Sequence, residues 1–186
     1  MRNVLIVLSG PSGVGKGTIA NMLIEKNKNL SLSISCTTRA PRPNEINGKD
    51  YFFIEKSAFK EKVEKGGFLE YSEHFENCYG TPKDFVLESL KSNDVLLEID
   101  VNGGLEVKKS YKEAILIMIT PPSLEEIRKR LMKRGTESKS KIELRMSRVQ
   151  YELEKQSLYD YAVVNDDLEQ AVSEIESIIK KEKNKV

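Results

Sequence analysis

Histidine occurs once in this sequence, at His74, and cysteine twice, at Cys36 and Cys78. One imidazole cannot build a histidine-based metal centre or a Ser-His-Asp triad. The two thiols match no metal-ligand spacing and imply no disulfide framework, so they read as idle or buried. No apolar run approaches the ~20 residues that a membrane-spanning helix requires. Neither sign of charge dominates: 30 Lys and Arg stand against 29 Asp and Glu, a net charge of +1. That balance gives no general attraction to nucleic acid or membrane, so an anion site has to be assembled from local clusters. Internal repeats and low-complexity linkers are absent too. Met1-Arg2-Asn3 leads directly into an apolar run, which leaves no space for a targeting peptide, and the expectation is a cytoplasmic protein. The 186 residues, 39% of them hydrophobic, suit one domain with sub-domains inserted.

What is present begins with residues 4–18, VLIVLSGPSGVGKGT. Residues 4–8 read as a strand buried on both faces. A glycine-rich turn follows, then a helical pattern with Ile19, Met22 and Leu23 on one side. Strand, glycine turn and helix give the Gly-x-x-x-x-Gly-Lys pattern its meaning. Without Cβ atoms, Gly10, Gly13 and Gly15 let the backbone turn its N–H groups inward toward an anion. The helix N-terminus adds partial positive charge and Lys16 a full one, which makes a cradle for a polyphosphate. The residue after Lys16 is Gly17, not the Ser or Thr that usually ligates Mg²⁺ there, and the first hydroxyl is Thr18. Mg²⁺ is therefore expected to be held mostly by water and nucleotide, or by other residues, with Thr18 bonding a phosphate.

Further along, residues 29–35 alternate as a strand, and Pro41 and Pro43 stop regular structure. Short strands and turns over residues 36–82, with a helix near 57–65, suggest an inserted sub-domain. Pro82 restarts a helix whose apolar side carries Phe85, Val86, Leu87 and Leu90. Residues 95–100 and 114–119 read as buried strands. Ser123 opens a helix with a capping box and a stripe of Leu124, Ile127 and Leu131. Residues 133–141 are polar and read as a mobile segment, followed by a long helix over 142–158, a short strand at 162–164 and a helix from Asp167. The lysine-rich end, from Lys180, is expected to fray. Apolar strands alternating with amphipathic helices imply a parallel sheet covered on both faces, with the glycine turn at its ligand-binding edge.

Asp100 ends an apolar strand, the position of a Walker-B-type acid, although an ordinary helix N-cap fits the same pattern. Arg39 and Arg42 flank prolines; Arg134, Arg145 and Arg148 surround the polar segment. Two arginine groups beside one glycine turn suggest two phosphate-bearing ligands. Glu70 interrupts an apolar stretch; on a half-buried strand it would by itself simply face water, but it gains weight from the hydroxyls that Ser35, Tyr79 and Thr81 bring to the same region.

Over nearly its whole length the chain resembles the bacterial guanylate kinases, P-loop nucleoside monophosphate kinases. The resemblance rests on GPSGVGKGT, SISCTTRAPRPNE, DYFFI, GFLEY, YGTP, LLEIDVNGG, RLMKRGT and YDYAVVNDDLEQA, in order. It implies a three-layer α/β P-loop fold with a parallel central sheet. The core would span 1–35, 83–124 and 151–186, a GMP-binding sub-domain 36–82 and a helical lid 125–150. The implied reaction is ATP + GMP = ADP + GDP, with Mg²⁺ carried by ATP; dGMP is a further expected substrate, and neither nucleic acid nor membrane is an expected partner. Carried over by position, ATP falls to Gly10, Pro11, Ser12, Gly13, Val14, Gly15, Lys16, Gly17, Thr18, Arg134 and Asn165. GMP falls to Ser35, Arg39, Arg42, Tyr51, Glu70, Tyr79, Thr81 and Asp100, and catalysis to Lys16, Arg39, Arg134 and Arg145. Asn44 stands where the family usually has Gly, and Asn102 and Gly104 stand where it has Gln and Ala; Arg148 occupies a position that commonly holds a small residue. A kinase for another monophosphate and a non-catalytic guanylate-kinase-like interaction module are the alternatives.

Overall fold

Five consecutive side chains without exposed surface, Leu5–Ser9, form β1. In a computed structural model, which describes residues 2–74, 76–133 and 139–185, this strand is the centre of the molecule. It is followed by α1 (Lys16–Lys26), β2 (Leu30–Leu32), β3 (Cys36–Thr37), β4 (Phe52–Phe53), α2 (Lys56–Glu64), β5 (Phe68–His74) and β6 (Asn77–Pro82). Then come α3 (Lys83–Ser89), β7 (Asp94–Glu98), α4 (Val101–Ser110), β8 (Ile115–Thr120), α5 (Leu124–Lys133), α6 (Lys139–Leu153), β9 (Tyr161–Val164) and α7 (Leu168–Lys183).

One sheet has five strands in the order β2-β7-β1-β8-β9, all parallel. Because side chains alternate along a strand, β1 sends Ile6 and Leu8 to one face and Leu5 and Val7 to the other. The first pair joins Ile19, Leu23, Val172 and Ile175 from α1 and α7. The second joins Val86, Val101 and Val107 from α3 and α4. Each fully buried aliphatic side chain contributes roughly 1.5–3 kcal/mol, so both faces have to be covered and three layers result. A second sheet of four strands, β4-β3-β6-β5, lies wholly within residues 36–82. Phe59 of α2 stacks on Phe68 of this sheet, with ring centroids 4.5 Å apart.

Several expected boundaries shift. The strand expected over 29–35 is shorter, and the helix expected to reach 158 ends at Leu153, before a 3-10 turn at Gln156–Leu158. Leu87 and Leu124, expected on apolar faces, are exposed, whereas Ile127 and Leu131 are fully buried. Ser123 Oγ does accept the Glu126 amide at 3.1 Å. The end of the chain does not fray at Lys180: α7 continues to Lys183, whose ammonium is 2.6 Å from Asp94 Oδ2. Asp94 is completely buried and also accepts the Val4 amide, so the last helix is tied to the start of the sheet. Both cysteines are free thiols, and burial pushes that of Cys36 up.

Candidate active site

At the C-terminal end of β1 the chain turns through Gly10, Gly13 and Gly15 with φ of 150°, 85° and 99°. Only glycine holds such angles without strain. Gly10 is also confined by space, because a Cβ there would meet the Ile119 carbonyl at 2.3 Å. The turn leads into α1, whose N-cap, Gly15, supplies no side chain, so the first amides of the helix are left for a ligand. Lys16 folds back over the turn and donates to the carbonyls of Gly10, at 2.6 Å, and Pro11, at 3.3 Å. Burial pulls its pKa down, while Glu98, Glu152 and Asp100 push it up. Asn165, at the end of β9, braces the turn by donating to Val14 O at 2.8 Å. Arg145 of α6 reaches Ser12 Oγ at 3.4 Å, which places this helix against the turn. Pro11, Gly17 and Thr18 complete the same loop and first helical turn. Arg134 lies outside the described residues.

The second group of expected residues gathers on the four-stranded sheet. The guanidinium of Arg39 lies 5.6 Å from the Tyr51 ring centre and pairs with Glu45 at 2.9 Å. Tyr51 and Tyr79 meet edge to face at 6.2 Å. Glu45 also accepts the Arg42 amide at 2.7 Å, closing a turn through Asn44 at φ 74°. Asn is among the few residues that tolerate this left-handed angle, which accounts for a residue other than Gly at 44. The Arg42 side chain is exposed, and Ser35 joins the sheet through its carbonyl, which accepts the Phe52 amide at 2.9 Å.

Glu70 is buried on β5, and Thr81 Oγ1 donates to its Oε1 at 2.6 Å. Burial, with the nearby charge of Asp100, raises the Glu70 pKa to about 7 against the opposing hydrogen bond from Thr81. Its second oxygen faces the start of α4, where a Cβ on Gly103 would come within 3.1 Å. Asp100 caps α4 by accepting the Gly103 amide at 2.7 Å, and it also lies within the field of Lys16. The two readings of Asp100 are therefore compatible. Gly104, in place of the family's Ala, is pressed by Tyr159, whose hydroxyl would sit 2.3 Å from an added Cβ. The Tyr159 phenol is buried, pushed up to about 12, and donates to Val101 O at 2.9 Å.

Three acids near this cleft were not singled out by sequence reasoning. Glu98 lies against Gly17, with its carboxylate 3.5 Å from where a Cβ would be. Alternation along the strand puts it on the same side as Asp100, a signal that was available. Glu152 on α6 acts electrostatically on Lys16 but stands in an ordinary polar helix sequence. Glu45, the Arg39 partner, is visible only once the turn is known.

The family model described as guanylate kinase matches residues 2–182. The chain belongs to the guanylate kinase family. It is 51% identical to a guanylate kinase of Caldanaerobacter subterraneus subsp. tengcongensis over all 186 residues, 90% of that relative. Identity to a guanylate kinase of Clostridioides difficile is 47%, again over the whole chain and 91% of the relative. The crystal structure of guanylate kinase from Anaplasma phagocytophilum superposes with a TM-score of 0.78 at 34% identity, covering all of this chain and 88% of that one. The guanylate kinase family thus accounts for the whole fold, both sheets included.

Proposed function

We propose that this enzyme transfers the γ-phosphoryl group of ATP to GMP, giving ADP and GDP, and that it accepts dGMP as well. The observation that carries this reading is Glu70, a buried carboxylate with one oxygen held by Thr81. Guanine presents N1–H and an exocyclic amine side by side, and an ionised Glu70 accepts both. Adenine offers an unprotonated N1 at that place, which repels the carboxylate. A site built on such bonds discriminates by roughly 10⁴–10⁵-fold.

In this reading the glycine turn and Lys16 hold the ATP phosphates, Asn165 supports the adenine side, and Arg39, Arg42, Tyr51 and Tyr79 hold the GMP phosphate. Ser35, Thr81 and Asp100 join Glu70 at the base. Residues 36–82 act as the GMP-binding sub-domain, 125–150 as a lid, and 1–35, 83–124 and 151–186 as the core. Transfer needs an in-line approach, charge neutralisation and exclusion of water. Lys16, Arg39, Arg134 and Arg145 supply the charge. Mg²⁺ brought in with ATP would supply further charge neutralisation at the phosphates. Among the described residues no three His, Cys, Asp or Glu side chains converge on one point. Glu98, beside Gly17, and Asp100 suit water-mediated contacts to a hydrated ion. Among the described residues no helix is long and apolar enough to cross a membrane, and we place the enzyme in the cytoplasm.

A coupled assay of ADP release with GMP, AMP, UMP and CMP tests the reading. GMP turnover far above the other three is expected; equal turnover of AMP and GMP overturns the role of Glu70.

A further inference from the structure

Arg148 lies on α6 between two fixed points. On a helix, residues three and four apart share a face. Arg145, three residues before it, touches Ser12 Oγ in the glycine turn at 3.4 Å. Lys155, seven residues beyond it and just past the end of α6, bonds Asn102 Oδ1 in the first turn of α4 and the Tyr151 hydroxyl. Ile142 and Val149 occupy the buried side of α6, so Arg148 is turned away from the core. The chain from Arg145 to Lys155 thus runs from a contact with Ser12 to a contact with Asn102, and Arg148 lies between those two contacts in sequence. Glu152, one turn on, is half-buried and within the fields of Lys16, Asp100, Arg148 and Lys155. Among the described residues no hydrogen bond or ion pair at contact distance engages the Arg148 guanidinium.

We propose that Arg148 is a further catalytic residue, one that donates to the oxygens of the phosphoryl group in flight, and that Glu152 is a positioning residue that aims it. This rests on the phosphotransferase reading above. A GMP phosphate oxygen forms the new P–O bond to the γ-phosphorus. The bond from that phosphorus to the β–γ bridging oxygen breaks, and its electron pair leaves with ADP. Arg148 stays protonated throughout and exchanges no proton. Its planar fork matches two equatorial oxygens at once, which a lysine cannot do.

The test uses the whole protein and a bisubstrate in which adenosine and guanosine are joined through an oligophosphate bridge. Calorimetry with the bisubstrate, with ATP alone and with GMP alone is run beside steady-state kinetics. For Arg148→Ala the expected result is about a tenfold loss in kcat and in bisubstrate affinity, with each single nucleotide bound within about twofold of native. Arg148→Lys falls between, and Glu152→Gln moves both quantities in the same direction by less. Because Arg148 is exposed, an unchanged melting temperature serves as the folding control. Unchanged kcat and bisubstrate affinity in Arg148→Ala overturn the proposal, as does an equal loss for ATP alone. A native protein inactive with GMP overturns the assigned reaction itself, whereas bisubstrate binding, read without turnover, decides the role of Arg148 separately.

Discussion

The Thr81 hydroxyl donates to Glu70 Oε1 over 2.6 Å, and both side chains are buried. One carboxylate oxygen is thus committed to the protein while the other is left toward the start of α4. In the proposed reading, replacing Glu70 by Gln keeps the shape and the Thr81 contact but presents an amide N–H to one of the two guanine donors. The expected loss in kcat/KM for GMP is roughly 10²-fold or more, with ATP affinity unchanged, read by steady-state kinetics and calorimetry.

A carboxyl with a pKa near 7 has to ionise before it can accept two guanine N–H groups. GMP affinity should therefore improve as pH rises through 7, and the dependence should vanish in Glu70→Gln. Stability of the nucleotide-free protein runs the other way. The folded-state pKa lies above the ordinary value of 4.5, so this residue's contribution is complete below about that pH and is lost as pH rises through about 7. Thermal melts from pH 4 to pH 8 should show Glu70→Gln gaining on the native protein by roughly 3 kcal/mol.

Gly103 is inside a helix, where Ala is normally better by about 1 kcal/mol. Here a Cβ would sit 3.1 Å from Glu70 Oε2, so the carboxylate has to give way. Gly103→Ala should raise the KM for GMP several-fold while leaving the KM for ATP unchanged. Equal effects on both substrates, measured at saturating partner, would contradict this.

The Lys183–Asp94 pair ties α7 to the base of the sheet, at the far end of β7 from Glu98. Lys183→Ala leaves Asp94 buried with an unpaired oxygen, a change that costs about 3–5 kcal/mol. Chemical denaturation should show that loss, while kcat measured well below the new melting point stays near native.

The core and the glycine turn were legible because they rest on local patterns. Residues 4–18 combine an apolar run with three glycines at fixed spacing, and Glu70 stands out among Phe68, Leu69 and Tyr71. What escaped depends on contacts remote in sequence. The lysine-rich end looks like a fraying tail until Asp94, 89 residues away, is seen beneath Lys183. Glu45 partners Arg39 only through the left-handed turn at Asn44. The apolar patterns around Leu87 and Leu124 are wider than the buried stripes, and periodicity alone cannot say which edge meets solvent.

Asn165 holds the glycine turn from the end of β9, and that strand is the last to be made. During synthesis the turn emerges first and waits for a prop some 150 residues downstream. A nascent chain halted before residue 165 would carry the complete glycine signature with its turn unbraced. In the proposed reading, firm capture of a nucleotide then waits for the strand that delivers Asn165.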